Sequence, residues 1–120
     1  MELKNILGGK IMEATDECYQ IAKMHYPGLS ENFYYSLAVH LSAAYERLLN
    51  KKSIINPAIE KIKRNYETEY KIAGVMASKV SKMLMVDIPD EEVGFIAMYI
   101  KNFSHRLKTE DKVNVVLLTH

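Results

Sequence analysis

The feature that most constrains this chain is a period. Val93, Ile96, Ala97, Ile100, Phe103 and Leu107 recur at intervals of three and four residues, the spacing that puts apolar side chains on one face of an α-helix. The same period runs through Ile11, Ala14, Cys18, Ile21, Ala22 and His25, then through Leu37, Leu41, Ala44, Tyr45 and Leu48, then through Tyr70, Ala73, Ala77, Val80 and Leu84. Breakers divide the runs. In "YPG" at 26–28, Pro27 disfavours helix at Tyr26 and Gly28 relaxes the turn. Ser30 reads as an N-cap with Glu31 just inside it. In "NP" at 56–57, Asn56 can cap and Pro57 suits a first helical position, and "IPDEE" at 88–92 sets Pro89 and three acids where a helix begins. The pattern predicts five helices: one after the glycines at 8–9, one from Ser30 to Asn50, a short one from 57 to Asn65, one over 68–85 and one from 89 onward. Each has one apolar stripe to bury, so the expected fold class is an all-α five-helix bundle. Gly74 lies beside the fourth stripe and is expected to allow a close helix–helix approach.

The end of the chain departs from this period. "KVNVVLLTH" at 112–120 is β-branched and apolar and follows the charged "KTEDK". It reads as a buried strand. A lone strand after a bundle has nothing to pair with, so the expected division is a helical domain over 1–110 and, over 111–120, a linker with the truncated first strand of a following domain.

Composition narrows the function. The 120 residues suit one domain, and 16 basic against 15 acidic side chains give a net charge of +1. A domain that grips nucleic acid through phosphates needs a concentrated basic surface. The one basic run, "KIKR" at 61–64, is followed by Glu67 and Glu69. Direct nucleic-acid contact is therefore not expected. No apolar run has the length of a membrane span, so no membrane contact is expected and the chain reads as cytoplasmic. The single cysteine, Cys18, falls on an apolar helical stripe and reads as a small core residue. None of the four histidines, His25, His40, His105 and His120, has the short helical spacing of a zinc hydrolase. With no phosphate-binding glycine loop and no nucleophile elbow either, the expectation is no metal, no cofactor and no enzyme activity.

His40 is the informative histidine. On a helix Ser36, His40, Ala43 and Arg47 share one face beside the apolar stripe. Ala43 and Ala44 leave room over the ring, and Arg47 lies two turns away near the surface. A neutral imidazole can attack phosphorus and a guanidinium can bind phosphoryl oxygens. The other reading is a structural histidine at a helix–helix contact, and spacing alone favours it. His25 sits where a helix ends, and His105, beside Arg106, reads as exposed.

Two segments together shift the balance. "LAVHLSAAYERLL" resembles the first histidine motif of the PTS regulation domain, in which an arginine follows the histidine by two turns. "IPDEEVGFIAMYI", 88–100, is similar to that family's second motif, with its Pro–acidic opening, a glutamate, an aromatic residue and normally a histidine near the end. The resemblance spans about residues 5–107. It implies a five-helix regulatory domain, usually a homodimer, phosphorylated on histidine by the phosphocarrier HPr or a sugar-specific EIIB protein. By position, His40 matches the phosphorylated histidine, Arg47 the arginine of the same motif and Glu92 the acid of the second. Tyr99 stands where the second histidine belongs, and a tyrosine does not take over phosphoramidate chemistry, so at most one histidine carries regulation. A constitutive dimerisation module with His40 unphosphorylated is the first alternative, and a helical nucleic-acid-binding domain, which would need a concentrated basic surface, is the second. "VNVVLLTH" resembles the opening strand of a mannose-type EIIA domain ending in its phosphorylated histidine, matched here by His120. That order of domains is similar to sigma-54-dependent activators of the levanase-regulator type, which implies a bacterial transcription regulator of sugar uptake or use.

Overall fold

The structure, a computed structural model, describes residues 8–52 and 54–117, with side chains through Ser104. Its helices are α1 (Gly9–His25), α2 (Glu31–Leu49), α3 (Ile59–Asn65), α4 (Glu67–Leu84) and α5 (Asp90–Leu117). The all-α five-helix architecture is the one the periodicity predicts. α1 packs against α2 and α4, α5 lies across α2, α3 and α4, and α3 also touches α4. The stripes meet in one core whose largest fully buried side chains include Phe33, Leu37, Met76, Val80, Ile96 and Ile100. Cys18 is in that core and donates its thiol proton to the Met76 carbonyl at 3.6 Å. Burial, with Glu17 nearby, pushes its pKa up to about 12, as expected of an inert packing residue.

Helix ends show where local chemistry and packing part company. Ser30 is the N-cap of α2 in extended backbone, yet its side chain makes no capping bond. Asn56 caps a turn rather than the helix. Its Oδ1 accepts from the Ala58 N–H at 3.2 Å, and α3 starts only at Ile59, two residues beyond Pro57. The end of α2 is closed by Lys51 at φ 56°, with Lys51 N–H to Leu48 O at 3.1 Å and Lys52 N–H to Arg47 O at 2.8 Å. This is the paired bonding of a Schellman cap, and it fixes the backbone at Arg47.

Two expectations are corrected. Residues 112–117, expected as a strand, continue α5, and so does the charged run before them. An isolated strand leaves its backbone groups unpaired, whereas a helix satisfies them locally. The helical cost of β-branched residues is only a few tenths of a kcal/mol each. Residues 118–120, including His120, lie outside the described residues. Gly74 makes no close approach, since a Cβ built there meets nothing within 4 Å. The close approach is at Gly94, where a Cβ would fall 2.7 Å from both Asn56 Nδ2 and Ile59 Cδ1. Asn56 is buried there and donates to the Glu91 carbonyl at 3.2 Å. Gly94 thus lets the loop before α3 clamp the first turn of α5.

These glycines give opposite expectations. Gly94→Ala should lower stability by about 1–2 kcal/mol through displacement of Asn56. Gly74→Ala should raise it by about 0.5–1 kcal/mol, the usual gain at an unobstructed helix interior. Urea unfolding of both variants reads the difference.

Candidate functional site

α2 and α5 cross so that the second half of α2 faces the first turns of α5, and a polar cluster lies in that crossing. Pro89 opens the turn, its carbonyl accepting from Glu92 N–H at 3.0 Å and Val93 N–H at 3.2 Å. Of the three acids that follow, Glu92 alone lies on the inward line of Ile96, Tyr99 and Phe103, at spacings of four, three and four. Its side chain is 2% exposed. Asp90 stays outside and pairs with Lys63 at 3.2 Å.

The Glu92 carboxylate is met from α2. Arg47 donates from Nη2 to Oε2 at 2.9 Å and to Oε1 at 3.1 Å, and from Nε to Oε2 at 3.2 Å, a forked pairing that only a guanidinium provides. His40 Nε2 lies 3.3 Å from Oε1. The contact has ion-pair length, but the ring is not aligned for a standard hydrogen bond, and Nε2 is fully buried without any other partner. Burial pushes the Glu92 carboxyl up. The contacts of His40 and Arg47 and the charge on Arg47 outweigh it, so the group is held below its ordinary value.

Two aromatic side chains of α5 flank the imidazole. Tyr99 meets it edge-on at 5.2 Å between ring centres, and Phe95 lies tilted at 6.2 Å. The His40 side chain is only 9% exposed, which corrects the expectation of an open ring. Ala43 is exposed, but Ala44 is buried in the α2 interface. Arg47, expected near the surface, is 27% exposed and tied inward. The outer side of Arg47 borders a cleft of about 230 Å³ with Ala43, Glu46, Asn50 and Lys52.

The structure therefore brings together His40, Arg47, Glu92 and Tyr99, from two segments of chain more than forty residues apart. It leaves His25 aside, exposed at the end of α1, with Nδ1 3.1 Å from the Ile21 carbonyl. The side chain of His105 lies outside the described residues. Among the described residues no group of His, Cys, Asp and Glu could hold a metal ion, and no helix is long and apolar enough to cross a membrane.

The first comparison decides the family, for the PRD domain model matches residues 12–103. The chain belongs to the PRD domain family. This PRD is 35% identical over 81 residues to Protein GlcT of Staphylococcus epidermidis, covering 68% of this chain and 29% of that protein. It is 29% identical over 109 residues to the transcription antiterminator LicT of Bacillus subtilis, covering 90% and 38%. The chain thus spans well under half of these curated relatives. A crystal structure of GlcT CAT-PRDI shares the fold, with a TM-score of 0.78 at 22% identity over 84% of this chain and 61% of that one. The relatives named as antiterminators are regulators, not enzymes.

Within this PRD, sequence reasoning missed Phe95 and the direct meeting of Glu92 with both His40 and Arg47. A signal for the second was present: Glu92 is the N-terminal continuation of the α5 stripe, so its carboxylate must enter the interface and find a cation there.

The cluster has a stability signature. Removing Arg47 leaves a buried carboxylate with one poorly aligned neighbour, so Arg47→Ala should cost about 2–4 kcal/mol. The double variant Arg47→Met/Glu92→Met should recover most of that loss, as read by urea unfolding. The pH dependence has a definite sign. Since the folded pKa of Glu92 is below its unfolded value of about 4.5, its stabilisation is complete above that value and disappears as pH falls through the folded one. Between about pH 5 and pH 3 the wild type should lose stability more steeply than Glu92→Gln.

Proposed function

We propose that this PRD is a phosphorylation-responsive module of a bacterial transcription regulator of sugar uptake or use, and that His40 receives the phosphoryl group from the phosphotransferase system. The donor is the phosphocarrier HPr or a sugar-specific EIIB protein. The observation that carries this reading is the meeting of the two motifs: His40 and Arg47 of the first and Glu92 of the second form one contact between α2 and α5. A phosphoryl group on His40 adds about −1.5 to −2 charges beside a buried carboxylate. Arg47 cannot fully neutralise both anions, so phosphorylation weakens the α2–α5 contact, and the cleft beside Arg47 and Lys52 offers cations to the new charge.

The regulator's wider type rests on less. The levanase-regulator reading depends on the tail, and residues 113–117 of it are helical here. The names of the relatives support an antiterminator context. A homodimer is part of the proposal, supported by the exposed apolar side chains of Met24, Tyr35, Val39 and Val75. Light scattering at micromolar concentration should give twice the chain mass, and a strictly monomeric mass refutes it.

Labelling tests the site. With phosphoenolpyruvate, the general PTS enzyme and HPr, adding a cognate EIIB where HPr alone does not transfer, this domain should take up one acid-labile, alkali-stable phosphate. His40→Ala should abolish the label and His25→Ala should not. If His40→Ala is labelled like the parent, the assignment is wrong. If no donor labels the parent, constitutive dimerisation is the better reading.

A further inference from the structure

The two nitrogens of His40 have different surroundings. Nε2 is sealed against the Glu92 carboxylate at 3.3 Å and is buried. Among the described residues Nδ1 has no hydrogen-bond partner, and it is not one of the fully buried atoms. A neutral imidazole carries its proton on one nitrogen and a lone pair on the other. At 3.3 Å, too close for a water between them, a lone pair on Nε2 would face a carboxylate, whereas an N–H there turns its positive end toward that charge, in a contact that is not an aligned hydrogen bond. The carboxylate cannot turn away, because Arg47 grips both its oxygens and the first turn of α5 is held by Pro89 and Asn56. Histidines that ligate metals are held in one tautomer by the same kind of carboxylate contact.

We propose that Glu92, anchored by Arg47, is a positioning residue that keeps the proton of His40 on Nε2 and directs phosphoryl transfer to Nδ1. The transfer half of this inference rests on the function proposed above. The Nδ1 lone pair forms the new N–P bond as the N–P bond of the donor phosphohistidine breaks. The donor, protonated on its other ring nitrogen, leaves as neutral imidazole. His40 keeps its Nε2 proton, so the product is a phosphoimidazolium whose positive charge faces Glu92. This regiochemistry is opposite to that of an unconstrained histidine, for which the less crowded Nε2 is the preferred site.

The experiment labels the histidines of this 120-residue chain with ¹⁵N and phosphorylates the protein by two routes, the phosphotransferase proteins and potassium phosphoramidate. The His40 resonances are assigned by comparison with His40→Ala, and ¹⁵N–³¹P coupling identifies the phosphorylated nitrogen. The expected result is Nδ1-phosphohistidine at His40 by both routes. Glu92→Gln should let the Nε2 isomer appear, and a role limited to holding the fold together would not change the isomer. Should Glu92→Gln fail to fold, the wild-type isomer still decides the matter. Nε2-phosphohistidine in the wild type overturns the positioning role while leaving His40 as the acceptor. Nδ1 labelling by phosphoramidate alone upholds the positioning and defeats the proposed donor. If neither route labels His40, Nδ1 is not an available nucleophile and the inference fails.

Discussion

A carboxylate removed from water has to be matched by charge and hydrogen bonds, or it will not stay charged and in place. Glu92 is in that position, 2% exposed at the start of the longest helix, and much of the domain's architecture answers to it. The cation comes from α2, since among the described residues α5 carries none on its inward stripe. The guanidinium has to approach in plane to reach both oxygens, which fixes how far α2 can slide along α5. The two-turn spacing of His40 and Arg47 then brings the imidazole to the same carboxylate from one side while the arginine reaches it from another. Gly94 and Asn56 hold the turn that carries Glu92, and the Schellman cap behind Arg47 sets the end of α2.

The helices were legible because burial of a stripe is a periodic demand, and the sequence displays it over the core-forming part of every long helix. Cys18 needed nothing further to be placed. Three things were harder to read. Residues 112–117 have strand composition, but composition scores a preference of tenths of a kcal/mol, and the need to pair a whole strand outweighs it. Gly74 and Gly94 look equivalent on a helical wheel, and only the position of the Asn56 loop, a long-range contact, separates them. The alanines beside His40 suggested an open ring, because the sequence shows the small residues of α2 but not the aromatic rings that α5 brings across from Phe95 and Tyr99. The constellation itself was legible in its members, His40, Arg47 and Glu92, through the two motifs. What held them together was not.

Tyr99 bears on both packing and chemistry. Its ring lies edge-on to His40, a large side chain with no basic nitrogen beside the imidazole. The imidazole is thereby shielded on the α5 side. With Phe95 on the same helix it also lowers the polarity around Nε2, which raises the cost of leaving that nitrogen without an acceptor and makes the Glu92 contact matter more.

A buried ion pair is a poor means of gaining stability, because desolvation cancels most of the attraction and a well-packed apolar pair does as well. It differs from an apolar contact in responding to charge. Methyl groups at the α2–α5 crossing would be nearly indifferent to a phosphoryl group arriving nearby. The Arg47–Glu92 pair is not indifferent, since its cation is drawn toward the stronger anion and its carboxylate is repelled by the same charge. Little net energy is invested in the pair as it stands, but losing one partner leaves the other buried and uncompensated. By that asymmetry, the phosphoryl group proposed for His40 would be converted into a change at a helix–helix contact. The surrounding core of Phe33, Leu37, Ile96 and Ile100 carries no charge, so it can keep the bundle folded while this one contact responds.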